Sequence, residues 1–199
     1  MKKWNELPKV MQNDKVKYYY DILQEHEKEL KLKRAFDIIC SLIMIIILSP
    51  VLIVLSVMIK LDSKGPVLFK QVRVTTYGRK FKIWKFRTMV NNADKLGTQV
   101  TTKGDARITR MGHLLRKVRL DELPQLFNVL KGDMTFVGTR PEVPKYTAHY
   151  TEEMMATFLL PAGVTSRTSI EYKDEEKLLE NAENADEVYI NEVLPAKMV

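Results

Sequence analysis

Cysteine is nearly missing from this 199-residue chain: Cys40 stands alone, so neither a disulfide framework nor a thiolate zinc site can form within it. Histidine is almost as scarce, and His26, His113 and His149 are too scattered to suggest a metal cluster. No Asp-x-Asp pair occurs, which argues against an ordinary nucleotide-sugar glycosyltransferase with that metal site. A P-loop and a glycine-rich dinucleotide fingerprint are missing too. Repeats and low-complexity tracts are absent. Acidic residues are in deficit, with 25 Asp plus Glu against 32 Lys plus Arg and a formal charge of +7. Beside a membrane segment, that balance favours anionic headgroups and phosphorylated ligands ahead of nucleic acid.

What the chain does have is one long apolar run, from Ala35 to Ile59, interrupted by Ser49-Pro50. As a helix of about 25 residues it would reach ~37 Å, enough for a hydrocarbon core of ~30 Å. Pro50 lacks an amide donor and crowds the preceding turn, so a break or kink is expected there. The resulting pieces, roughly 21 Å and 15 Å long, would each fall short of a crossing. Lys31, Lys33 and Arg34 precede the run and Lys60 and Lys64 follow it, so both flanks look cytoplasmic. A hairpin that dips into one leaflet meets both facts, and a kinked full crossing is the other arrangement that membrane prolines allow. A signal peptide fits poorly, because the run starts late and Lys60-Leu61-Asp62 occupies the cleavage position. Asp37, near the start of the run, is expected to anchor by pairing with Arg34 or reaching interfacial water.

Residues 1–33 read as a polar extension with a helix from about Asp14 to Lys33, residues 34–60 as the membrane element, and residues 61–199 as one domain. The three tyrosines Tyr18, Tyr19 and Tyr20 are expected to pack or sit at the interface. Val67–Phe69 and Phe81–Phe86 read as strands around a turn at Tyr77-Gly78. Arg73, Arg79, Lys80, Lys82, Lys85 and Arg87 crowd this hairpin; most are expected to be solvated, with one or two facing phosphates. Ile108, Met111, Leu114, Leu115 and Val118 recur at helical spacing from Asp105 to Leu120, making a basic amphipathic helix suited to a membrane surface or a phosphate-rich cleft. A short helix follows, with Asp121 as its expected N-cap, Pro124 in its first turn and Gly132 as its stop.

Acids at a helix start usually cap and complement the dipole. Here Arg116, Lys117 and Arg119 directly precede Asp121-Glu122, and Arg140 follows in a Gly138–Pro141 turn. Cations beside carboxylates hold them ionised and clamp phosphate oxygens. An oxygen nucleophile, a charge clamp and a hard divalent ion are what phosphoryl transfer requires.

The order of these pieces closes on a family. Ser49-Pro50 in an apolar run, then Trp84-Lys85-Phe86-Arg87-Thr88-Met89, then Leu120-Asp121-Glu122-Leu123-Pro124 through Gly132-Asp133-Met134, then Phe136-Val137-Gly138-Thr139-Arg140-Pro141, strongly resembles the bacterial sugar transferase family. These are monotopic phosphoglycosyl transferases acting on polyprenyl phosphate, and the likeness, over about residues 31–150, is to their small, catalytic-only form. The resemblance implies an α+β fold: a re-entrant helix-break-helix hairpin carrying a small cytoplasmic domain of amphipathic helices and a short β-hairpin. It also implies that Asp121 attacks the sugar-linked phosphorus of a UDP-sugar, releasing UMP, and that undecaprenyl phosphate then takes the phosphosugar. Glu122 matches the dyad partner, placing Mg2+ with Asp121 or handling a proton. Lys85, Arg116 and Arg140 match phosphate-binding positions, and Ser49 and Pro50 match the helix break. The implied location is the cytoplasmic face of the bacterial inner membrane. Thr139 stands where many relatives have proline. Pro161–Tyr172 replaces a glycine-rich segment of relatives, making Arg167 and Glu171 candidate specificity contacts. The rival class is a membrane-anchored basic binding module, with no turnover and no covalent adduct.

Overall fold

The computed structural model describes residues 1–93, 105–166, 168 and 185–197. Arg167 and Glu171 lie outside the described residues. Helix α1 spans Asp14–Glu25, and Asn13 caps it by accepting from the Val16 amide at 2.9 Å. The helix expected to run on to Lys33 stops there: His26 leaves helical geometry (φ −97°, ψ 18°), and a new helix, α2, runs Glu27–Asp62. The interruption lets the two helices serve different partners. Tyr20 and Val16 of α1 are buried with Leu7, Met11, Val74, Phe158 and Leu159, while Tyr18 and Tyr19 stay exposed. The polar extension is thus part of a core.

Of the break or kink expected at Pro50, the break is not seen: helix α2 continues through that residue. Pro50 cannot donate to the Ile46 carbonyl, and Ser49 Oγ donates to that same oxygen at 2.8 Å. The hydroxyl replaces the missing amide, so the proline costs less than its usual ~3 kcal/mol or more. Most of the helix's apolar middle is uncovered; Ile46 and Ile47 are 64% and 68% exposed. By length and composition it can cross a bilayer.

Both ends of α2 dock on one domain. At its start, Arg34 donates to the Val129 and Leu130 carbonyls (2.7 and 2.9 Å), which end helix α4, Gln125–Lys131. Asp37, expected to anchor by pairing with Arg34 or reaching interfacial water, meets Lys33 (3.3 Å), the Thr135 hydroxyl (2.6 Å) and the Phe136 amide (3.3 Å) instead. The terminal carbonyls of α4 are the better acceptors for Arg34, being the negative end of a helix dipole. Near the other end of α2, Leu55 and Ile59 are buried with Phe86 and Leu115. Arg87 donates to the Ser63 and Lys64 carbonyls (2.7 and 3.0 Å), and the Met111 amide to Asp62 (3.2 Å).

The hairpin is longer than its apolar core suggests. Strands β1 (Leu68–Thr75) and β2 (Arg79–Phe86) pair antiparallel across a turn in which Tyr77 has φ 57°. Phe81 and Ile83 face Val129 of α4 and Met134. Helix α3 is shorter than expected, Arg110–Lys117, with Thr109 accepting from the Gly112 amide as its cap. Ile108 is drawn out of the helix by a bridge to Met89. At Gly112 a Cβ would fall 2.0 Å from the Thr88 carbonyl, so only glycine lets α3 approach the end of β2 this closely. Two further strands, β3 (Met134–Val137) and β4 (Ala162–Thr165), pair in parallel, with the short helix α5 (Pro144–Thr147) between them in sequence. The chain closes with a helical run, α6, made of Ala185–Val188, a π turn Tyr189–Val193 and Leu194–Lys197.

Candidate active site

Between α3 and α4 the chain makes one tight turn, Leu120–Glu122. Arg119, just before it, is held at φ 58°, a left-handed conformation that non-glycine residues seldom take. Asp121 does not cap α4, as expected from sequence: the position before that helix is Pro124, and no side chain caps it. The bland structural role is therefore not the one it plays. Gly132 does end α4 as expected, at φ 85°.

Asp121 is buried, at 9% exposure, and belongs to no ion pair among the described residues. Burial raises its carboxyl above the ordinary aspartate value; Lys85 and Arg116 oppose the rise, and Glu122 adds to it. Glu122 behaves in the opposite way. Burial pushes it up, but Lys85 and Arg140 outweigh that and hold it below the ordinary glutamate value. The geometry explains this: Lys85 Nζ donates to Glu122 Oε1 at 2.8 Å, and Arg140 Nη2 lies 3.8 Å from the same oxygen. Two cations share one carboxylate. Lys85 pays no such dividend, since burial lowers its ammonium from its usual value and Arg140 adds to the lowering, with only Glu122 and Asp121 resisting. Neighbouring carboxylates with opposed shifts mark candidate acid–base or nucleophile assignments.

Each side chain arrives from a different element. Lys85 follows Phe81 and Ile83 at every second position of β2, so it comes from the strand's inner face. Arg140 comes from the turn after β3. Arg116 is on α3, where its Nε donates to Thr88 Oγ1 at 2.9 Å; it reaches Asp121 through its charge, not by a direct contact. Lys85, Asp121, Glu122 and Arg140 are brought together, Arg116 stands beside them, and Ser49 and Pro50 lie in the apolar helix. Sequence reasoning missed Arg73 and Arg87, read as hairpin surface charge; Arg87 is buried and Arg73 half-buried, and both donate to backbone carbonyls. Their targets are distant in sequence, and no local pattern announces them. It missed the strain at Arg119 too, whose place two residues before the acidic pair was the available clue.

No group of three or more metal-ligating side chains occurs among the described residues. Mg2+ at phosphoryl-transfer sites is commonly held by only one or two carboxylates together with substrate phosphates and water, and Asp121 and Glu122 fit that donor set.

The bacterial sugar transferase family model matches residues 28–196. Over 123 residues the chain is 46% identical to a UDP-N-acetylgalactosamine-undecaprenyl-phosphate N-acetylgalactosaminephosphotransferase of Aeromonas hydrophila, covering 62% of this chain and 29% of that protein. It is 40% identical over 157 residues to a UDP-glucose:undecaprenyl-phosphate glucose-1-phosphate transferase of Escherichia coli K12, covering 76% and 34%. An exopolysaccharide production protein of Rhizobium leguminosarum is 50% identical over 113 residues, 56% of each chain. The chain therefore spans about a third of the two named transferases. With its acidic pair, basic clamp and apolar helix in one matched stretch, it belongs to the bacterial sugar transferase family.

Proposed function

We propose that this protein moves a sugar-1-phosphate from a UDP-sugar to undecaprenyl phosphate, the first membrane step in building a bacterial glycan. The observation that carries this reading is Asp121: a buried carboxylate outside any described ion pair, beside a glutamate clamped by Lys85 and Arg140. Relatives are named for N-acetylgalactosamine, glucose and galactose, while undecaprenyl phosphate recurs in all three names.

In this reading a carboxylate oxygen of Asp121 attacks the phosphorus that carries the sugar. The bond from that phosphorus to the bridging oxygen breaks, and UMP leaves. An oxygen of undecaprenyl phosphate then attacks the aspartyl-bound phosphorus and frees Asp121. Splitting the transfer lets two substrates use one site in turn. Arg140 and Lys85 stabilise charge on the phosphoryl oxygens, and Arg116 helps keep Asp121 ionised. Glu122 fixes the two cations. Mg2+, if bound by Asp121, Glu122 and substrate phosphates, would neutralise the diphosphate.

The same reading places residues 34–60 in the cytoplasmic leaflet as a re-entrant anchor, with residues 61–199 as the catalytic domain at headgroup level. Support comes from the docking of Arg34 and of Leu55 and Ile59 on one domain. A straight crossing would put those ends on opposite sides of the bilayer. With Cys40 replaced by serine, single cysteines near residues 25 and 65 should both label from the cytoplasmic side; labelling from opposite sides rejects the hairpin.

For the chemistry, a panel of UDP-sugars is supplied with undecaprenyl phosphate and Mg2+, and UMP is measured. Release with at least one sugar is expected, together with a covalent phosphosugar on Asp121 by mass spectrometry. Equal release by Asp121→Asn removes the nucleophile. Absence of both turnover and adduct returns the protein to the class of basic binding modules.

A further inference from the structure

Behind the Arg140 turn lies a second buried charged cluster to which none of the roles above gives a task. Glu142, 5% exposed, accepts a hydrogen bond from the Tyr189 hydroxyl of α6 at 2.7 Å. Its other oxygen stands 3.8 Å from Arg73 Nη1 of β1. The same Arg73 nitrogen donates to the Pro141 carbonyl at 3.0 Å, and the rest of that guanidinium is held by Gln71 Oε1 (3.1 and 2.8 Å). The Val74 amide adds a bond to the Glu142 carbonyl at 3.0 Å. Tyr189 is itself fixed: Lys197 Nζ donates to its oxygen at 3.2 Å, and the Tyr146 ring lies 4.5 Å from its own. The two residues directly after Arg140 are therefore gripped from two elements, β1 and α6.

We propose that Tyr189, Glu142 and Arg73 are positioning residues for Arg140, holding the base of its side chain so that the guanidinium stays at Glu122 and faces the donor's diphosphate. The inference rests on the reaction proposed above. Arg140 needs such a support. Its side chain is 38% exposed and sits 3.8 Å from Glu122, too far for a hydrogen bond, so the dyad alone does not orient it. A long, mobile cation clamps phosphate only when its backbone origin is fixed. Burying Glu142 is itself costly, and replacing the whole cluster of Glu142, Arg73 and Tyr189 by apolar groups of similar volume is the kind of exchange that often leaves stability unchanged or higher. The cluster thus does something that packing alone would not require. The C-terminal helix, distant from the dyad in sequence, becomes part of the donor clamp.

The test uses the full chain in lipid nanodiscs. Tyr189→Phe and Glu142→Gln are each measured in the wild-type and in the Arg140→Ala background, with thermal midpoints recorded. Losing the Tyr189 hydroxyl should raise the donor KM about tenfold while kcat falls by less. With Arg140 already gone, the same change should alter kcat/KM by less than about twofold, since residues acting as one unit are not additive. A loss of equal size in both backgrounds means general destabilisation and overturns the proposal. Glu142→Gln, whose amide oxygen still accepts from Tyr189, should retain more activity than Glu142→Ala. Hydrogen exchange supplies a readout that needs no turnover: in Tyr189→Phe the amides of Gly138, Thr139, Arg140 and Glu142 should exchange about tenfold faster, with β2 unchanged. Unchanged exchange there rejects the positioning role even if UMP is produced. Faster exchange in a protein that releases no UMP with any donor rejects the reaction and keeps the mechanical coupling.

Discussion

Asp37 and Asp121 are both buried aspartates, and their surroundings give them opposite fates. Asp37 receives Lys33, the Thr135 hydroxyl and the Phe136 amide, so its carboxylate is occupied as an acceptor. Asp121 has comparable burial, yet no described ion pair, and its cations act on it through space while gripping something else. A carboxylate surrounded by donors from other elements is an anchor; one held in a charged field, with its own backbone amide as its hydrogen-bond donor, keeps oxygen lone pairs that can bond to phosphorus. Burial alone does not separate structure from chemistry, but the count of committed acceptors does.

The contrast can be broken at either end. The largest expected effect is Asp121→Asn, which should lower UMP release by roughly 10⁴-fold or more, as loss of a nucleophile does. Its thermal midpoint should hold or rise, because a buried carboxylate has been made neutral. Asp37→Ala should show the reverse, a loss of about 3–5 kcal/mol by denaturant titration, with kcat per folded molecule unchanged within about twofold. If Asp37→Ala keeps its stability, the anchor reading is wrong.

The pH profile sharpens the contrast further. Asp121 must be ionised to attack, and its pKa is raised, so activity should fall with acid at a higher pH than an ordinary aspartate would give. Lys85 opposes that rise. Lys85→Met should therefore move the acid limb to higher pH, besides lowering kcat about a hundredfold. Glu122 adds to the rise, so Glu122→Gln should move the limb to lower pH. Shifts of the same sign in both variants would mean that a different group controls the limb. The smallest effect concerns α2: Ser49→Ala leaves the Ile46 carbonyl without its substitute donor and should cost about 1 kcal/mol.

Much of this site could be read along the chain because its pieces are local. Asp121 and Glu122 are adjacent, Gly132 stops α4 as its type demands, and alternation along β2 carries Lys85 to the side of Phe81 and Ile83. The unread part is long-range. Asp37 meets Thr135, Glu142 meets Tyr189, and strands β3 and β4 of four residues each pair in parallel. No periodicity in either partner names the other. The end of α3 misled for a local reason: Ile108 suits a helix's apolar stripe, but Thr109 caps and Met89 offers a strand bridge. At Pro50 the neighbouring hydroxyl supplies the donor that the proline removes, which the apolar pattern does not announce.

The two arginine caps have a practical result for anyone wanting a water-soluble version of this protein. Arg34 finishes the helix that follows the dyad, while Arg87 finishes the apolar one, so anchor and domain each supply the other's terminus. Cutting away the greasy segment would strip α4 of its cap and uncover Phe86 and Leu115 together. Solubilisation by excision should yield an aggregating fragment; recoating the exposed isoleucines with polar residues, leaving Arg34, Leu55 and Ile59 in place, is the route the interlock permits.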